Sequence, residues 1–259
     1  MDRVRQIAQA VLYECRPRLL DDRHLRGLHP EPYARGQAGL PSLMQTQCLV
    51  EAAPSDTVDV HVRFLHLVSR EVARARGDEL EPAAELTVDG TRYVAGTEAR
   101  EREAAVSGLA LADLAGAAYT MSVDVPGDQE AVWLIDARGR AGAVLRCWET
   151  LHGWAETRAV RLRDRLFRLT VTVANTTCWE GGEPAEALKR TFVSAQSVVR
   201  THGGRFVSLL NPPAELRPLA AGCRNIGTWP VLVGEVGERH TMLSAPIILR
   251  DHPRLSHAG

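Results

Sequence analysis

Valines at 58, 60, 62 and 68 and a phenylalanine at 64 alternate with Asp59, His61, Arg63 and Ser69. A period of two is the signature of a half-buried strand, and it predicts one over residues 57–72, led into by 42–51. His66 falls on the apolar face of that strand and reads as a core histidine, whereas His61 faces a polar cluster with Asp59 and Arg63. Residues 85–94 carry Asp89-Gly90 between two β-rich arms, the strongest short-range hairpin signal. An alternating run over 119–125 ends at the turn Pro126-Gly127-Asp128, and a further hairpin is expected after it. Residues 158–162 and 166–175 alternate on either side of Arg163-Asp164-Arg165, with Phe167, Leu169, Val171 and Val173 on one face. Toward the end, 206–210, 231–233 and 246–249 are short apolar runs that read as strands, the last two as buried ones.

Helical spacing is rarer. Val4, Ile7, Ala8, Val11 and Leu12 predict a docking helix over 3–14. A second helix is expected over 184–201, because Pro184 suits a first turn, Leu188, Phe192, Ala195 and Val199 fall on one stripe, and Gly203-Gly204 supplies a stop. Between them, residues 15–41 are rich in Arg, Pro, Gly and His without a period, so they read as a long mobile loop with His24 and His29 exposed to solvent. Many strands with few helices indicate an α+β fold with antiparallel hairpins. The expected organisation is a single domain over 1–259, with a helix and loop in 1–41 and a β-rich body in 42–259.

Composition removes several classes of partner. Across 259 residues, 31 Lys plus Arg balance 32 Asp plus Glu, and a net charge of -1 leaves no long-range field to draw in nucleic acid. No window approaches the ~20 apolar residues of a membrane-spanning helix, so no membrane association is expected. Five cysteines, Cys15, Cys48, Cys147, Cys178 and Cys223, form no C-x-x-C pair. An odd count without a secretory leader fits a reducing cytoplasm.

Among motifs, the Walker loop, the Gly-x-Gly-x-x-Gly turn, Gly-x-Ser-x-Gly and His-Glu-x-x-His are all missing from the sequence. The densest chemistry lies in 223–253. There Arg224 beside Cys223 would lower a thiol pKa, and the Asn225 amide would hold an oxyanion. Cys48 and Glu51 join them as candidate nucleophile and general base, and Arg224 as the grip on an anionic substrate group. His240 and His252, with Asp251, supply nitrogen and oxygen donors for a metal. No particular cofactor is indicated.

The segments SLMQTQCLVE (42–51), VDVHVRFLHLVSREV (58–72), LFRLTVTVANTT (166–177), EALKRTFVSAQSVVR (186–200), GRFVSLLNPP (204–213), CRNIGTWPVLVG (223–234) and MLSAPIILRDHP (242–253) resemble, in order, a family of actinobacterial proteins encoded beside uptake nickel-iron hydrogenase genes. The chain departs from that family's pattern after residue 14 and lacks its C-terminal extension. The resemblance implies an accessory or assembly protein that binds a partner such as a hydrogenase-type subunit. The alternative, suggested by the departures and the polar residues above, is a specialised biosynthetic enzyme that takes a small-molecule substrate. Homo-oligomerisation is compatible with either.

Overall fold

The computed structural model describes residues 2–14, 26–36 and 40–253. In chain order the elements are α1 (Asp2–Glu14), β1 (Gly27–Leu28), α2 (Glu31–Gly36), β2 (Leu43–Glu51), β3 (Thr57–Arg76), β4 (Glu79–Ala83), β5 (Glu85–Val88), β6 (Thr91–Val94) and β7 (Gly96–Ala110). After α3 (Leu111–Gly116) come β8 (Tyr119–Ser122), β9 (Asp128–Asp136), β10 (Gly139–Trp148), β11 (Gly153–Arg163) and β12 (Leu166–Asn175). The chain ends through α4 (Pro184–Lys189), β13 (Phe192–His202), β14 (Arg205–Val207), α5 (Arg217–Ala221), β15 (Trp229–Leu232) and β16 (Thr241–Ala245).

The alternation seen over 57–72 extends to a strand of 20 residues, β3, which organises the larger sheet. Its first half runs between β13 and β7, and its second half between β10 and β4. The full order is β15-β16-β13-β3-β10-β9, with β1, β4 and β7 off that path. A second sheet, β14-β2-β12-β11-β8, packs on it. All strand pairs among the described residues are antiparallel. The body is therefore β-rich, and its helices other than α1 are no longer than six residues. No described helix is long and apolar enough to cross a membrane.

The inner faces of the sheets meet in one core. Val60, Val62 and Phe64 of β3 and Phe192 of β13 pack there with Met44 and Cys48 of β2 and with Phe167, Leu169, Val171 and Val173 of β12. Each such side chain, fully buried, contributes about 1.5–3 kcal/mol of apolar burial. Outside the larger sheet, Ile7, Ala8 and Val11 of α1 cover Val198, Leu243 and Val231, so the predicted docking helix does pack. Outside the smaller sheet, Leu216, Ala220 and Cys223 cover Leu49 and Leu166 as a third layer. Both predicted hairpins are present; in the first, Asp89 (φ +46°) and Gly90 (φ +76°) take the left-handed conformations that a two-residue turn demands.

Three expectations are corrected. The helix over 184–201 stops at Lys189, and the rest is strand β13. A β-bulge between Val193 and Gln196, with Ser194 at φ +55°, inserts one residue, so the apolar side chains that join the inner core fall at 192, 195 and 199, with the polar Ser197 among them. That spacing of three and four imitates a helical stripe, while buried Val193 and Val198 fill the opposite face. Secondly, 246–249 is not a strand; pairing ends at Ala245, where Pro246 has no N–H to give, and Ile248 is 76% exposed. Thirdly, the loop expected over 15–41 contains β1 and α2, and His29 is buried, its Nδ1 against the Thr191 hydroxyl (3.1 Å). His24 and Cys15 lie outside the described residues.

Candidate functional site

Cys223, Arg224 and Asn225 lie along the solvent side of β2, and their polar groups are used to hold them there. The Asn225 side-chain oxygen accepts from the Gln47 amide N–H (2.7 Å), the Gln47 side-chain oxygen accepts from the Arg224 N–H (2.9 Å), and the Gln45 side chain donates to the Arg224 carbonyl (2.9 Å). Ile226 and Gln45 exchange both backbone hydrogen bonds. Asn225 therefore substitutes for a strand partner. Its replacement by alanine leaves the Gln47 N–H unpaired and is expected to lower stability by about 1–2 kcal/mol in urea unfolding. The Arg224 side chain itself is exposed.

The surroundings of both thiols favour the protonated form. Burial, with Cys223 close by, pushes the Cys48 thiol well above its ordinary range. Burial likewise raises Cys223, against the opposing charge of Arg168. Cys48, Cys147, Cys178 and Cys223 are all free.

Glu51 pairs with Arg239 (3.0 Å), whose Nε also donates to the Phe206 carbonyl (2.8 Å). His240 is exposed, and its Nδ1 donates to the Gly204 carbonyl (3.0 Å). Asp251 accepts from the Leu232 N–H (2.8 Å) and from the Ser208 hydroxyl, and the His252 N–H donates to the Leu232 carbonyl (2.7 Å). Asp251 and His252 thus close the outer edge of β15. The His240 ring serves the Gly204 carbonyl, whereas His252 is held through its backbone N–H and its ring Nδ1 is buried without a partner. Among the described residues no group of three His, Cys, Asp or Glu side chains is placed to hold a metal.

What the fold does bring together is a charged belt on the inner face of the larger sheet, past the end of the smaller one. His66 and Arg70 of β3 share this face with Glu98, Arg100 and Arg102 of β7, and with Arg146 and Trp148 of β10. Glu98 bridges Arg70 (2.7 Å) and Arg146 (2.8 Å), and Arg146 first and then Arg70 hold its carboxyl below the usual range. Both oxygens of Glu130, on β9, take Arg100. The guanidiniums of Arg100 and Arg102 lie 4.6 and 5.4 Å from the Trp148 ring centroid. Trp148 is fixed in turn by donating to the Pro126 carbonyl (3.0 Å). Burial, reinforced by Arg102 and Arg100, lowers His66 to about 4; the backbone of Lys189 opposes this without making a hydrogen bond of normal geometry.

The belt was partly legible. The alternation of Glu98, Arg100 and Arg102 with Ala99, Glu101 and Glu103 in 97–105 is itself a period of two, which places the first three side chains on one face. Nothing in the spacing says which face points inward.

The edges of the sheets differ in how they are protected. β14 is three residues long, β7 is heavily charged, and β15 is closed by Asp251 and His252. The edge strand β9 is nine residues long and exposes Val132 (48%), Trp133 (41%) and Ile135 (65%). A shallow depression of about 250 Å³ beside β4, lined by Glu71, Val72 and Pro82 to Ala84, brings no reactive groups together.

No family model matches the chain, and no curated protein matches it.

Proposed function

We propose that the protein acts by binding a protein partner that adds a strand to β9, in an accessory or assembly role of the kind the hydrogenase-linked resemblance implies. The observation that carries this reading is the unprotected apolar edge. An exposed strand of this length presents a row of unpaired N–H and C=O groups and templates pairing with another chain. Val132, Trp133 and Ile135 add apolar anchors on both faces of that edge, with Arg140 stacked 4.5 Å from the Trp133 ring centroid. The raised thiols of Cys48 and Cys223 weigh in the same direction, because an enzyme built on them would lack a thiolate at neutral pH.

The test is co-expression with the large and small subunits of an uptake nickel-iron hydrogenase, followed by size-exclusion chromatography with light scattering. A complex of defined stoichiometry is expected, lost on combining Val132→Glu with Ile135→Lys. Both positions are well exposed, so the double variant should unfold within about 0.5 kcal/mol per substitution of the parent. A parent that elutes alone, or a complex indifferent to the double variant, refutes the reading. A homodimer abolished by the same changes would assign β9 to a second copy instead.

A further inference from the structure

The belt has two more cations than carboxylates, and one guanidinium is left without a carboxylate partner. Four guanidiniums, Arg70, Arg100, Arg102 and Arg146, face two carboxylates, Glu98 and Glu130, and both carboxylates are already committed: Glu98 to Arg70 and Arg146, Glu130 to Arg100. The adjoining Glu149 is taken by Arg190 (2.7 Å). Arg102 is left with no hydrogen bond or ion pair among the described residues, although its Nε and Nη2 are shut off from solvent. Beside it His66 is 0% exposed; the Lys189 backbone lies near its ring, but neither ring nitrogen has a hydrogen-bond partner of normal geometry.

Buried polar groups are paired in folded proteins with few exceptions, and a buried charge without a counter-ion is costlier still. Here two neighbouring side chains break the rule at one spot, and every unmet donor of Arg102 calls for an acceptor. Trp148, held between the guanidiniums and Pro126, keeps Arg100 and Arg102 on one side of the belt rather than free to seek water. A planar guanidinium fork with an adjacent imidazole matches a carboxylate or phosphate oxygen pair.

We infer that Arg102, with His66 and Arg100, forms a binding site for a small anion bearing a carboxylate or a phosphate group. The anion supplies the acceptors that the protein withholds from Arg102 and offsets the excess charge of the belt. The site is separate from the edge contacts at Val132 and Ile135, so either idea can fail alone.

Isothermal titration of the purified protein with sodium sulfate, inorganic phosphate and sodium acetate, at matched ionic strength, tests it. Sulfate and phosphate report a tetrahedral group, acetate a planar one. Saturable one-to-one binding of at least one probe is expected, with a Kd of about 1 mM or tighter. Arg102→Met, which keeps the length of the side chain without the charge, should weaken that binding by about tenfold or more, whereas Arg140→Met, over Trp133, should not change it. Urea unfolding of Arg102→Met without anion should show stability equal to the parent or higher, since two guanidinium nitrogens shut off from solvent without an acceptor have gone. Absence of saturable binding by all three probes overturns the inference. So does equal binding by Arg102→Met; and a marked loss of stability in that variant together with unbound parent protein would make Arg102 a structural partner of Trp148 alone.

Discussion

Replacing Phe64 with alanine is expected to cost about 3–5 kcal/mol, which lowers the thermal midpoint by roughly 10 °C in a chain of this size. Phe64 and Phe192 are both fully buried and stack with ring centroids 4.4 Å apart and planes 17° from parallel. The pair joins β3 to β13 at the end of the core nearest the charged belt. Its surroundings cannot collapse easily: a Cβ placed on Gly153 would lie 2.8 Å from the Phe192 ring, so the β11 backbone already rests against it. Phe64→Leu should recover much of the loss. Thermal and urea unfolding of the two variants check this; a Phe64→Ala cost below about 1 kcal/mol would mean that the stack is not central to the core.

Stability should also fall in acid through His66. The ring is held neutral in the fold, at about 4 against an ordinary 6.5, by burial and by Arg102 and Arg100. As pH drops below about 6.5 the unfolded chain takes up a proton that the folded chain refuses, so the stabilisation present above that pH is lost progressively down to about pH 4. The total is about 3 kcal/mol, and the loss levels off once both states are protonated. Glu98, held low by Arg146 and Arg70, acts only below its usual carboxylate range and leaves the upper part of this window to His66. His66→Leu should flatten the profile between pH 7 and 5 and, with no unpaired imidazole to bury, match or exceed the parent at pH 7. Urea titrations at several pH values decide it: equal slopes in parent and variant would remove His66 as the source.

The candidate chemistry was less legible than the strands, for a reason visible in Asn225 and Asp251. Both side chains have the composition of catalytic groups, yet each is spent on a backbone N–H, of Gln47 and Leu232 respectively. Those partners lie 178 and 19 residues away, and a local pattern carries no information about contacts so distant in sequence. The same holds for Glu51, which meets Arg239 at a separation of 188.

Local order determined a good deal. Alternation at 58–64 and 166–175, the Asp89-Gly90 turn and the apolar stripe of α1 each depend on neighbours within a few positions, and each took the predicted form. Where tertiary pairing overrides the local period, sequence and structure part: the bulge at Ser194 gives β13 the spacing of a helix, and only its place between β3 and β16 makes it a strand. The belt of His66, Arg100, Arg102 and Trp148 belongs to the same category. Three strands set side by side by their hydrogen-bond register bring these residues together. Burial then keeps the His66 imidazole neutral, and the commitment of Glu98 and Glu130 to other arginines leaves Arg102 without a carboxylate.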